Sequence, residues 1–377
     1  MPDNTAPARR PDLADLAHEE QDAGATGAHT TDSTSQSSIT GRPPVSWSAA
    51  RAYVLVLTLF ALAGGPHLVG AVAAVVQQSG AQVPVEVLRV EEMGRLIGLA
   101  GAAVWLPGLI LTRPRPHGME RLLRQLTVLV GALAVIVADE AGEFTADRTS
   151  TQIAGHLAEL VVWVWLCVEV TARCGITLQR LNLARPVRLF RKRTKAKRAQ
   201  KAQGELVFYA HSAAICASVF LMGILARLPG PVLKGDQATA AGVPDLGPHL
   251  AHALWSATVE EVLATAVVVA VLTAARRPLW EVLLVTALMR ALPHLYLGLW
   301  PALAVLPLGI TAGWLYHRYR QVIPLILAHA TYNVVNILFG MPPLLGVSVI
   351  MLAGVGWSWL ETRTVPPRSR SRPTFRG

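Results

Sequence analysis

The chain has 377 residues, of which 52% are hydrophobic and only 15% charged, with a mean hydropathy of +0.41 and a formal net charge of +10. Soluble globular proteins carry about 25% charged residues, so the composition excludes that class. Apolar runs of about 20 residues, the length of a bilayer-crossing helix, point to an all-α, polytopic transmembrane bundle.

Residues 1–45 are rich in Ala, Thr, Ser, Asp and Pro without an apolar run, and read as a disordered tail rather than a cleavable signal. Ten spans are predicted next, at about 52–76, 94–112, 122–138, 153–172, 206–226, 250–274, 279–299, 302–316, 322–340 and 343–360. The segments between them alternate in charge. RPRPHGMERLLR (113–124) is basic and DEAGEFTADR (139–148) mostly acidic. The loop 173–204 is strongly basic, 227–248 is weakly charged and rich in Gly and Pro, and Arg276-Arg277, HRYR (317–320) and the tail are basic again. Placing both termini in the cytoplasm puts every basic segment on the cytoplasmic side, as the positive-inside rule requires. The expected location is therefore a multi-pass position in the cell membrane.

Ten Lys and Arg lie between Arg180 and Lys201, and five Arg between Arg363 and Arg376. Basic clusters beside membrane spans meet anionic lipid, so the charge argues for the bilayer as partner and against nucleic acid. Cys167, Cys174 and Cys216 follow no paired spacing, which argues against a disulfide framework or a cysteine metal site.

The first five spans read as scaffold, and spans six to nine hold the chemistry. Glu260 and Glu261 stand together in span six, within ATVEEVLATA. A carboxylate at the centre of a membrane helix costs about 2.5–3.5 kcal/mol, so such residues are functional candidates by default. Side by side on a helix they diverge by about 100° and cannot face one partner. His294 follows in span seven. His329 and Asn333 in span nine are four apart and share a face, as do His252, Ser256 and Glu260 in span six. A desolvated glutamate acting on water, a histidine to position that water or pass a proton, and a histidine–amide pair on the oxyanion together suit hydrolysis. The rival use is a zinc site on Glu260, His294 and His329 with a bound hydroxide.

Glu260-Glu261, a helix ending near His294, and His329-x-x-x-Asn333, in that order in consecutive apolar segments, resemble the type II CAAX prenyl protease family, also called CPBP. Its pattern is Glu-Glu-x-x-x-Arg, Phe-x-x-x-His and His-x-x-x-Asn/Asp, and the likeness covers about residues 250–340. It implies a catalytic helical core there, flanked by N-terminal helices over 46–249 and a last helix with a basic tail over 341–377. It also implies an intramembrane endopeptidase that cuts a membrane-associated peptide or protein. Glu260 would be the general base, His294 a helper in activating water, and His329 with Asn333 the oxyanion site, without a metal cofactor.

Two positions depart from the pattern. Its arginine falls at Thr265 and its phenylalanine at Arg290. Arg290 shares a face of span seven with His294, and charge balance predicts that it pairs with Glu261 from the neighbouring helix. The remaining polar residues of the spans, His156, Glu159, His211, His252 and Ser256, match no motif and are expected to pack or line the interior. Tyr296 and Tyr332 are expected to be packing or interfacial aromatics. Two rivals follow from the same residues: a catalytically inactive binding or immunity protein of the same fold, and a proton-coupled transporter. Transport would call for inverted repeats, which are not evident in the sequence.

Overall fold

A computed structural model describes residues 48–78, 80–82, 84–112, 119–141, 148–174, 195–225 and 245–339. The predicted tail, the tenth span and most of the basic 173–204 loop lie outside the described residues. Among those described there is no strand. The helices are α1 (Ala49–Gln78), α2 (Val85–Leu111), α3 (Met119–Ala141), α4 (Arg148–Arg173) and α5 (Lys195–Leu225). Next come α6 (Leu246–Val259), a π-helical stretch Glu260–Val267 and α7 (Val268–Ala274), which form one continuous rod. The last are α8 (Leu279–Ala291), a 3₁₀ segment Leu292–Leu297, α9 (Leu299–Tyr319) and α10 (Ile323–Phe339).

Six of these segments are long and apolar enough to cross a membrane: Ala49–Pro66, Leu122–Asp139, Thr149–Arg173, Ala202–Leu225, Leu246–Ala274 and Leu299–Tyr319. The protein is a multi-pass integral membrane protein. Each of the first nine predicted spans coincides with helix, but two differ in kind. Span five starts at Lys195, within the expected basic loop, because Lys, Ala, Arg and Gln are themselves good helix formers. Span seven is not one helix over 279–299. Its α-helix stops at Ala291, and Leu292–Leu297 tightens to 3₁₀ around Pro293, which has no N–H to continue the ladder. Pro324 produces no kink either. It sits in the first turn of α10, where a missing N–H is tolerated.

The rod Leu246–Ala274 is the centre of the bundle, 78% buried, against 11% for Leu122–Asp139 in α3. Its run of buried Val262, Leu263, Val267, Val268, Val269, Val271 and Leu272 packs in one cluster with Leu59, Leu106, Leu166, Leu315 and Leu325. Sharp reversals fix its neighbours. Arg276 (φ 57°) ends the rod in a left-handed turn, Pro278 opens α8, and Gly298 (φ 107°) carries the chain from the 3₁₀ segment into α9, a conformation that favours glycine. Helices α8 and α9 then meet closely: a Cβ on Gly309 would lie 2.6 Å from the Ala287 Cα. At the α7–α8 turn, Arg277 donates to both oxygens of Glu281 (2.8 and 2.5 Å), and the Tyr53 hydroxyl of α1 donates to the same carboxylate. These bonds raise the Arg277 pKa above its ordinary value.

Candidate functional site

Four helices bring the polar residues together at the π-helical stretch, which begins at the two glutamates. π turns are rare and frequent at functional sites. They align residues five apart, so Thr265 falls into line with Glu260. Its four-residue spacing from Glu261 still leaves all three side chains within reach of one guanidinium.

That guanidinium is Arg290, from α8. It is fully buried and donates from Nη2 to Glu261 Oε1 at 2.5 Å and from Nη1 to Thr265 Oγ1 at 3.1 Å. The pairing expected from charge balance is therefore present, and Thr265 accepts a bond where the family pattern has the arginine itself. Nη2 also lies 3.1 Å from His329 Nδ1 on α10 and 3.7 Å from Glu260 Oε2. Glu261 Oε1 is the meeting point of the cluster, because His211 Nε2 on α5 approaches it at 2.9 Å and His329 Nδ1 at 3.1 Å. An ionised carboxylate buried in this way is tolerable only with such compensation.

The two glutamates thus occupy different environments. Glu261 is completely enclosed, whereas Glu260 keeps 27% of its side chain exposed. Ser256 Oγ, one turn earlier on α6, donates to Glu260 Oε1 at 3.2 Å. Glu260 Oε2 accepts no hydrogen bond among the described residues.

His294 lies in the 3₁₀ segment, with Nδ1 2.8 Å from the Arg290 carbonyl. In 3₁₀ geometry that carbonyl would pair with the amide of Pro293, which has none, and the imidazole takes its place. A carbonyl only accepts, so Nδ1 carries the proton and Nε2 is the acceptor nitrogen. His294 is close enough to Glu260 and His329 for their charges to act on it. Asn333 Nδ2 makes only a long 3.5 Å contact with the Ala253 carbonyl across the α6–α10 interface.

Glu260, Glu261, Arg290 and His329 therefore come together around one guanidinium. His294 stands on the same turn as that arginine, and Asn333 lies one helical turn beyond His329. Among the described residues, no three His, Cys, Asp or Glu side chains converge as a metal site would require. The zinc grouping of Glu260, His294 and His329 is thus not assembled.

Sequence reasoning assigned His211 to packing, but it is bound directly to Glu261. Its one visible signal was a histidine inside an apolar span, since its partner is remote in sequence and belongs to no local motif. Ser256, also assigned to packing, holds Glu260. His252 does pack, edge-on to His156 (5.2 Å between ring centres) and stacked on Trp255 (5.4 Å). Tyr332 likewise packs, against the small cluster of Ile215, Ala291, Val305 and Leu308.

No curated protein and no solved structure matches the chain at a significant level. One family model does, over residues 244–335: the Rce1-like type II CAAX prenyl endopeptidases, a protease family. The matched segment runs from just before α6 into α10 and contains all three motifs. Residues 244–335 are thus an Rce1-like segment of the CPBP type.

Proposed function

We propose that the protein is an intramembrane endopeptidase of the CAAX-protease type, hydrolysing a peptide bond in a membrane-associated peptide or protein. The observation that carries this reading is the unequal treatment of the two glutamates. Three donors converge on Glu261, whereas Glu260 is partly open and held through one oxygen only. The first is suited to hold helices and charge in place, the second to take a proton from water.

In this mechanism Glu260 Oε2 accepts a proton from a water that also donates to His294 Nε2, and the nascent hydroxide attacks the scissile carbonyl. The oxyanion needs donors in place beforehand. Arg290 Nη2 facing His329 Nδ1 supports the tautomer with its proton on Nε2, leaving that N–H for the oxyanion. Asn333, only weakly engaged, supplies the second donor. Glu260 then returns its proton to the leaving amine as the C–N bond breaks, giving a carboxylate and an amine.

A second reading, a non-catalytic binding or immunity protein of the same fold, is favoured by Arg290. It replaces the phenylalanine of the family pattern and forms an ion contact with Glu260 itself. Incubating purified protein with a membrane-peptide library tests both. General-base loss in Glu260→Gln should slow cleavage by roughly 10²–10⁴. Equal cleavage by the variant removes Glu260 as base, and no cleavage by either protein favours the binding reading. A chelator control separates a metal-dependent activity from a glutamate-dependent one.

A further inference from the structure

We propose that His211 is a positioning residue of this site: by donating its Nε2–H to Glu261 from α5, it holds that carboxylate where Arg290 and His329 meet. The catalytic consequence rests on the peptidase reading above; the positioning itself does not.

His211 is completely buried, and its Nε2 lies 2.9 Å from Glu261 Oε1. The partner carboxylate is ion-paired with Arg290 and accepts only, so Nε2 is the donor. The other ring nitrogen supports the same tautomer. Nδ1 is buried and has no hydrogen-bond partner among the described residues, and an N–H left unpaired there would be costly. The histidine therefore presents one directed donor to one acceptor.

Helix α5 is well placed to hold that donor still. Further along it, Ser218 Oγ donates to the Ala304 carbonyl of α9 at 2.5 Å. Near its start, Gly204 lies against Gln321 and Pro324 at the entrance to α10. Both helices that flank the site on that side are thus keyed to α5. The lever arm is short. Glu261 Oε1 also receives Arg290 Nη2, and that same nitrogen reaches His329 Nδ1 and Glu260 Oε2. A displacement of Glu261 is passed to the oxyanion histidine and to the base through one guanidinium.

Thr265 makes this support necessary. With no arginine on its own helix, Glu261 draws all its compensation from neighbouring helices, and α5 is outside the family-matched residues 244–335. The core is completed by a helix that the family match does not include.

Three variants test the assignment. His211→Leu keeps bulk without the donor, His211→Gln keeps an amide donor of similar reach, and His211→Asn carries a donor too short to reach Glu261. One readout is the nitrogen NMR spectrum of histidine-labelled full-length protein in micelles, with His329 assigned by its own substitution. The expected result is a displaced His329 signature in the Leu and Asn variants and a wild-type signature in His211→Gln. The other readout is kcat against KM on a cleaved library peptide. Losing one hydrogen bond to a charged group should lower kcat roughly ten- to a hundred-fold, leave KM unchanged, and be restored by Gln. Should His211→Leu fail to fold, His211→Asn decides.

Unchanged His329 resonances in the donor-free variants overturn the proposal. So does equal loss of kcat in all three variants, which would mark a merely structural role. If wild-type protein cleaves nothing in the library, the peptidase reading fails, and the NMR readout alone judges His211.

Discussion

Arg277 meets Glu281 and Arg290 meets Glu261 at the same closest distance, 2.5 Å, yet the two pairs have opposite settings. The first spans one turn of a single helix, with 31% and 16% of its side chains exposed. The second joins two helices and is wholly buried. An exposed pair leaves each partner rehydrated when the other is lost, so its net contribution is small. A buried pair leaves an uncompensated charge, so breaking it is far more damaging than its net contribution would suggest. The comparison shows why one contact can belong to a site while the other is a clasp at a turn.

The largest effect should come from breaking the buried pair. Arg290→Ala strands Glu261 against two imidazoles, and removing one partner of a buried pair costs about 3–5 kcal/mol. Unfolding in micelles should show that loss together with loss of cleavage. Arg290→Phe should do the same, but combining it with Thr265→Arg restores the charge from the position that the family pattern uses. Recovery of most of the lost stability in the double variant would show that the arginine has changed helices while keeping its partner. A double variant as unstable as Arg290→Phe would show that Thr265 and Arg290 are not interchangeable positions.

That the Arg290 pairing was legible in the sequence follows from how strongly a membrane interior constrains charge. An acid without a partner on its own helix must find one, and Arg290 stood at the right spacing on the next helix. The positions of Glu260, His294, His329 and Asn333 were legible for a similar reason, because each is a polar residue in an apolar span. The π turn was not, since a run of Ala, Val and Leu gives no sign of a change from four- to five-residue hydrogen bonding. Nor was the end of α8 at Ala291. Pro293 suggested a kink, and the outcome was a 3₁₀ segment that turns His294 back onto the Arg290 carbonyl. His211 was the hardest to read, because its relation to Glu261 exists only once α5 has packed beside the rod.

A smaller effect is expected from Thr265→Val, which keeps the shape of the side chain and removes the acceptor for Arg290 Nη1. A hydrogen bond to a charged group contributes about 1.5–3 kcal/mol, so the melting temperature should fall by less than in Arg290→Ala. The NMR signature of His329 gives the finer test. If Thr265 only satisfies one N–H, the His329 resonances stay in place. If it sets the tilt of the guanidinium, they move with those of the His211 donor-free variants.

The smallest effect belongs to the turn. Arg277→Ala removes the pair with Glu281 and the contact of the guanidinium with the Tyr53 ring, 5.8 Å from its centre. Glu281 still receives the Tyr53 hydroxyl, so α1 stays attached to the start of α8. Cleavage by Arg277→Ala should equal that of wild type. Any fall in melting temperature should shrink as salt is raised, since exposed charges are screened beyond about 10 Å at 0.1 M. The loss in Arg290→Ala should not respond to salt, because ions do not reach the buried pair. Equal salt sensitivity in the two variants would mean that water and ions enter beside Glu261, and the contrast in burial between the two pairs would no longer account for their roles.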